Sequence, residues 1–252
     1  MGASVRDIPG RFCFHDNQLV EWDPEHSSSD AFVECPHQRG LWLCRGAMPR
    51  RTCEDIAAFA SAACGGDAAV REPHSWAWHG YDPSRRVAPV LLDSSPKAAA
   101  QLCEFEVFGG EAPERWLRAA HFARHPDAAV RRGARKLVSL PRRARSLVPR
   151  SAHNHDLARE MSRVQFLQLQ ALQRGAEIRP HIDAATPPAD VVATLGVTGT
   201  ARILVGAIET VIREGDLYLL AGAARWERKH EVLAAESDRL TVATRFFAAC
   251  GF

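Results

Sequence analysis

Residues 164–183 read Val-Gln-Phe-Leu-Gln-Leu-Gln-Ala-Leu-Gln-Arg-Gly-Ala-Glu-Ile-Arg-Pro-His-Ile-Asp. The first nine form a β-like run, a glycine then breaks it, and the stretch closes on Arg179-Pro180-His181-Ile182-Asp183. Side chains at i and i+2 of an extended segment point the same way, so His181 and Asp183 can grip one ion together. A neutral imidazole and a carboxylate leave room for one more ligand. Two histidines and one carboxylate on a single face, with the other positions open, are the set that non-haem Fe(II) uses for oxygen chemistry. His-x-Asp alone is a weak signal.

Downstream, the same texture continues. Short β-like runs at Val191–Val197, Ala201–Val205, Glu209–Arg213, Leu217–Leu220 and Leu240–Phe247 are separated by turn residues, among them Gly199-Thr200 and Glu214-Gly215-Asp216. Several strands at short spacing with glycine turns predict a sandwich or jelly roll rather than a parallel sheet. His230 lies among these runs, as the candidate third ligand. Arg239 and Arg245 follow, six apart in a β-like run and therefore on one face. A guanidinium pair facing a metal suits a small dicarboxylate, which Arg binds through a two-pronged fork.

Upstream, residues 50–160 read as helical and rich in Ala and Arg. Thr52 with Asp55 predicts a capping box, ahead of an apolar face of Ile56, Phe59, Ala60 and Ala63 that Gly65-Gly66 ends. Ser95-Pro96 predicts a second helix start, Glu114 to Arg124 a third helix, and more helix lies between Pro126 and Val148. The fold class expected is α+β, a double-stranded β-helix (jelly-roll) core with an N-terminal helical layer. Residues 1–40 read as an N-terminal extension before a first strand near Gly40–Cys44. Residues 41–252 read as one domain, with 106–160 a helical, basic insertion.

The chain of 252 residues is 46% hydrophobic and 25% charged, an ordinary globular composition. It has no apolar run long enough for a membrane helix and no secretory signal, so an intracellular, soluble, cytoplasmic or nuclear protein is expected. Seven scattered cysteines suit a reducing compartment. The net charge of +2 conceals eight Arg/Lys and no acid in 131–150, leaving 24 basic against 30 acidic residues elsewhere. Such a block, with Arg142 and Arg143 in it, suits a phosphate backbone, or equally a solvated helix face. His74, Trp76, Trp78, His79 and Tyr81 cluster ahead of the core. They read either as a lid on which an extruded base stacks or as one face of a strand. His153-Asn154-His155 with Glu160 lacks the glycines of a cupin metal motif. Cys13/His15 and Cys35/His37 are spaced too tightly for an ordinary structural zinc site.

Taken together, these blocks resemble the AlkB family of Fe(II)/2-oxoglutarate dioxygenases. Gly175–Asp183 resembles its Gly-x-x-Ile-x-x-His-x-Asp segment, and Asp190–Leu195 the strand that follows. Gly215-Asp216-Leu217-Tyr218, Gly222, Arg225 and His230 resemble its Gly-Asp…Gly…Arg…His block, and Arg239 to Arg245 its closing Arg-x5-Arg strand. The likeness covers residues 164–247, and 40–105 more faintly through His79-Gly80-Tyr81-Asp82. It implies that His181, Asp183 and His230 ligate Fe(II), that Arg239 binds the distal carboxylate of the co-substrate 2-oxoglutarate, and that Arg245 lies near its other end or near the substrate. It implies O2-driven demethylation or hydroxylation of a nucleic acid, RNA ahead of single-stranded DNA. An oxygenase acting on protein and a catalytically silent binding protein are the alternatives. The family's Asn-x-Tyr pair reads Gln170 and Leu172 here. Gln can replace the amide, while Leu supplies no phenol hydroxyl.

Overall fold

The alternation of buried residues along each strand assigns two faces to one sheet, and the computed structural model shows what covers them. It describes residues 5–7, 18–24, 31–64, 77–79, 82–91, 117–150, 155–161, 163–183 and 190–247. Fifteen strands are described: β1 Val5–Asp7, β2 Gln18–Glu21, β3 Val33–Glu34, β4 Leu41–Cys44, β5 Ala77–His79, β6 Asp82–Leu91, β7 Leu117–Arg118, β8 Arg163–Leu172, β9 Ile178–His181, β10 Val191–Thr198, β11 Ala201–Val205, β12 Ile208–Ile212, β13 Leu217–Ala221, β14 His230–Val232 and β15 Arg239–Phe247. The helices are α1 Arg50–Ala63, α2 Ala128–Ser146, α3 His155–Glu160 and α4 Gly222–Trp226.

The last eight strands make the core. β8, β10, β13 and β15 pair in the order β13-β10-β15-β8 within a nine-stranded sheet; β9, β11, β12 and β14 pair in the order β12-β11-β14-β9 within a six-stranded one. The chain therefore crosses between two facing sheets repeatedly, which is the double-stranded β-helix, or jelly roll, expected from the strand spacing. β3, β4, β5, β6 and β7 extend the larger sheet, and β1 and β2 the smaller.

Period-two alternation sorts the larger sheet. Leu167, Leu169, Leu195, Val197, Leu217, Leu219 and Val242 face the helical layer, where they pack with Ile56 and Phe59 of α1 and Leu137 and Leu140 of α2. Each such side chain taken out of water contributes about 1.5–3 kcal/mol. Leu41, Leu43, Leu172 and Leu220 face the smaller sheet and pack against Ile203, Val205, Ile208, Ile212 and Val232. β10 is covered on both sides and is buried over Val191–Val197. The helices cross tightly: a Cβ on Gly133 of α2 would lie 2.0 Å from the Asp55 carbonyl oxygen of α1. Arg132 chelates the carboxylate of the same Asp55 with three hydrogen bonds of 2.8–3.1 Å.

Several local expectations are corrected. α1 starts at Arg50 with Pro49 at its N-cap, so Thr52 does not cap it, and Asp55 is buried against Arg132 instead. The helix expected at Glu114–Arg124 is strand β7 followed by a 3-10 helix over Ala119–Arg124. Residues 18–35 are not a plain lead-in. β2 runs parallel to β12, β3 pairs with β4, and Trp22 is buried between the sheets. The helix expected at Ser95-Pro96 lies outside the described residues, as do Cys13 and His15. No helix among the described residues is long and apolar enough to cross a membrane.

Candidate metal centre

β9 and β14 are antiparallel neighbours in the smaller sheet, and their register sets His181 directly opposite His230. Asp183 lies two residues beyond the end of β9, with Ile182 between it and His181. The three thus converge from two strands, with ligand atoms all within 4.8 Å of one another. His181 Nε2 lies 3.2 Å and His230 Nε2 3.5 Å from the same Asp183 oxygen, Oδ1. The imidazole rings are 4.4 Å apart, centroid to centroid.

The donor chemistry shows that this cluster fits a cation. His181 Nδ1 is 2.8 Å from the Arg179 carbonyl oxygen, which only accepts, so Nδ1 carries the proton. Nε2, the other ring nitrogen, faces the Asp183 carboxylate oxygen, so a cation between them would meet donor atoms from both groups. Separations of 3.2 and 3.5 Å between the imidazole nitrogens and the carboxylate oxygen are short enough for one bound ion to engage all three side chains. The carbonyl behind His181 also fixes its ring, as outer partners of metal ligands do. His230 Nδ1 is buried without a hydrogen-bond partner among the described residues.

Asp183 divides its two oxygens. Oδ1 faces the histidines. Oδ2 lies 3.4 Å from Arg225 Nη2 and 3.3 Å from Arg245 Nη1. Burial would raise the pKa of this carboxyl, but the His181 and His230 hydrogen bonds and the Arg245 and His230 charges hold it well below the ordinary range. The carboxylate is therefore a preformed anion whose orientation two guanidinium groups set.

Arg225, quoted from the sequence only within a longer block, is the functional residue whose role sequence reasoning missed. It sits on α4, 0% exposed, with its guanidinium 4.4 Å above the Trp226 ring. Its spacing from His230 was the available signal, but nothing in the sequence aims it at Asp183. Arg245 does reach the site, where its second nitrogen is 3.4 Å from Gln168 Oε1. Gln170 also donates to Gln168 Oε1, at 3.1 Å.

Arg239, Thr241, Ala243 and Arg245 alternate along the inner face of β15, and Leu172 stands directly opposite Arg239. Arg239 is 5% exposed, and its Nε and Nη2 have no hydrogen-bond partner among the described residues. Burial pushes its pKa down, with Tyr218 the opposing influence. A buried guanidinium with unpartnered N–H groups is a receptor for an anion, because leaving such donors unpaired costs about 1–3 kcal/mol. Arg239 and Arg245 lie on the same face of β15, about 20 Å apart along the strand at their Cα atoms.

The structure places Arg142 and Arg143 away from this site. Arg143 of α2 donates to the Ala47 carbonyl oxygen at 3.2–3.3 Å, while Arg142 is exposed. Both belong to the helical layer, on the opposite face of the larger sheet from Arg239. Trp76 and Tyr81 lie outside the described residues. Trp78 lies in β5, which pairs with β6 at the edge of the larger sheet.

No protein-family model matches the chain, and no curated protein matches it in sequence. Among solved structures, it is similar to a prolyl-4-hydroxylase from Pseudomonas putida, at 14% identity and a TM-score of 0.48, covering 85% of this chain and 95% of that one. A salicylate 1,2-dioxygenase from Pseudaminobacter salicylatoxidans matches at 11% identity and a TM-score of 0.27, over 32% of this chain and 20% of that one. A cupin 2 conserved barrel domain protein from Leptotrichia buccalis matches at 14% identity and a TM-score of 0.27, over 32% and 35%.

Proposed function

We propose that the protein is an Fe(II)- and 2-oxoglutarate-dependent oxygenase of the AlkB type. The observation that carries this reading is the pairing, inside one jelly roll, of a His-Asp-His cluster with a buried, unpartnered guanidinium. His181, Asp183 and His230 would hold Fe(II). Arg239 would bind the distal carboxylate of 2-oxoglutarate and so orient its keto-acid end toward the metal. When bound, Fe(II) and 2-oxoglutarate supply oxidation of a C–H bond by O2, with succinate and CO2 as co-products. Arg225 and Arg245 hold Asp183 in the orientation that offers Oδ1. The two sheets exclude bulk water from Arg239.

For the substrate, the reading is a nucleic acid, RNA ahead of DNA, undergoing demethylation or hydroxylation. Its support is α2, on which Arg135, Lys136, Arg142 and Arg145 are exposed. Arg131, Arg132 and Arg143 bond to protein groups instead. α2 lies across the sheet from Arg239, so its cations would dock a polyanion without touching the reacting base. That placement also favours a second reading, an oxygenase acting on protein, with α2 a solvated face.

Anaerobic titration of the protein with Fe(II) and then 2-oxoglutarate tests the enzyme class. The charge-transfer absorbance of the keto-acid chelate is expected at one equivalent, and its absence would overturn the reading. For the substrate, replacing Arg135, Lys136, Arg142 and Arg145 by Gln should weaken oligonucleotide binding. It should also flatten the dependence on salt, because each lost phosphate contact removes about 0.7–0.9 from the logarithmic slope. Unchanged binding and slope would favour the protein-directed reading.

A further inference from the structure

β2 is held on the smaller sheet by contacts of three kinds. Val20 N donates to the Ala207 carbonyl oxygen at 2.9 Å and Trp22 N to that of Glu209 at 2.8 Å. The segment thereby adds a short parallel strand to the edge of β12 that faces away from β11. Among residues 19–24 Trp22 alone is buried, packed in the cluster that holds Ile203, Ile208 and Ile212. Asp23 closes the segment. Its Oδ1 accepts from Arg45 Nε at 3.1 Å and Nη2 at 2.6 Å, and its Oδ2 from Arg213 Nη2 at 3.0 Å. Burial would raise the Asp23 pKa, but the Arg213 and Arg45 hydrogen bonds outweigh it and hold the carboxyl below its ordinary range.

The receiving groove does not depend on the segment that fills it. Arg45 also donates to the Val211 carbonyl oxygen and to Asp216 Oδ2, both at 2.5 Å. Asp216 in turn accepts from the backbone N–H groups of Gly46 and Arg213. The guanidinium that clamps Asp23 is therefore held in place by the barrel itself. Without β2, β12 would end the sheet with open backbone groups, a template for strand addition. Backbone pairing gives such an edge its affinity for an extended peptide, and side-chain pockets give it specificity.

We propose that the edge of β12, with its Trp pocket and Arg45–Arg213 clamp, is a peptide-binding site that residues 18–24 fill in cis. Its partner is an extended segment of another protein, with an aromatic residue followed directly by a carboxylate. The cis segment sets the threshold for that partner, because a tethered ligand competes at an effective concentration of millimolar order. A second copy of the chain brings the same segment and the same groove, so exchange between copies makes no contact that each copy lacks.

The test uses the full chain and a labelled peptide copying residues 17–24, read by fluorescence anisotropy. Trp22→Ala with Asp23→Asn vacates the groove in cis. That double variant is expected to bind the peptide at least about tenfold more tightly than the unaltered chain does. A peptide carrying the same two replacements is expected not to bind. Adding Arg213→Gln to the vacated chain should weaken binding about ten- to a hundredfold, the contribution of one charge-assisted hydrogen bond. Asp23→Asn alone loosens the cis segment without opening a cavity and should raise peptide affinity in the same direction. Unchanged peptide affinity in both variants would overturn the inference, as would equal binding of the peptide with the two replacements. A stable complex between vacated and unaltered chains in sedimentation would give the groove to a second copy and overturn the partner assignment.

Discussion

Arg239→Met is expected to raise the melting temperature of the protein and to abolish its affinity for 2-oxoglutarate in the same step. The guanidinium is 5% exposed, and two of its nitrogens lack hydrogen-bond partners among the described residues. Arg stays charged under all ordinary conditions, so without ligand the fold carries a desolvated cation with donors unmet. Met has a similar reach, fills the space between β8 and β15, and has no donors to leave unpaired. Relieving that burial should stabilise the ligand-free protein by about 1–3 kcal/mol, or several degrees in thermal unfolding. The carboxylate that Arg239 receives would then meet an apolar wall. Burying that anion unpaired costs about 3–5 kcal/mol, a loss of at least a hundredfold in affinity. Differential scanning calorimetry and keto-acid titration of the one variant measure both. A fall in melting temperature would show that Arg239 supports the fold and is not held ready for a ligand.

Asp183→Ala and His181→Ala should both lose metal, yet differ sharply in stability. Either substitution removes one of three ligands, and Fe(II) or Co(II) affinity by calorimetric titration should fall by more than about a hundredfold. Asp183 is also the nearest anion to Arg225, which is 0% exposed, and it contacts Arg245. Removing it leaves two like charges facing each other, which in buried sites costs about 3–5 kcal/mol. His181 has a side chain 35% exposed and serves no such pair, so its loss should cost about 1 kcal/mol or less. Equal destabilisation by the two substitutions would show that the arginines do not depend on Asp183.

The difference between those two ligands was invisible in the sequence, which presents them as equals in a His-x-Asp motif. What the sequence does carry is periodicity. The β-like runs from Val164 to Phe247 emerged as strands nearly residue for residue, because alternation and glycine turns are local properties. Helix α2 was legible too, despite Pro141 in its interior. Its basic residues looked like one patch, but neighbours from α1 and the preceding loops turn Arg131, Arg132 and Arg143 inward. Asp55 reads as a cap partner until Arg132, far along the chain, takes its carboxylate. Arg225 meets Asp183 because α4 follows directly on β13 and sets its guanidinium beside the loop after β9. The Asp55–Arg132, Ala47–Arg143 and Asp183–Arg225 contacts join segments distant in sequence, which no local pattern encodes.

The position of β15 also bears on how the protein folds. This strand lies between β8 and β10, pairing with both, although all the other described strands precede it in the chain. Until it inserts, the larger sheet exists as two separate pieces, and neither Arg239 nor Arg245 has a cleft to occupy. Its partners in β8 are distant in sequence, and such long-range pairings fold slowly. Refolding should therefore restore β-sheet signal before it restores keto-acid binding, with ligand competence arriving in the slowest phase.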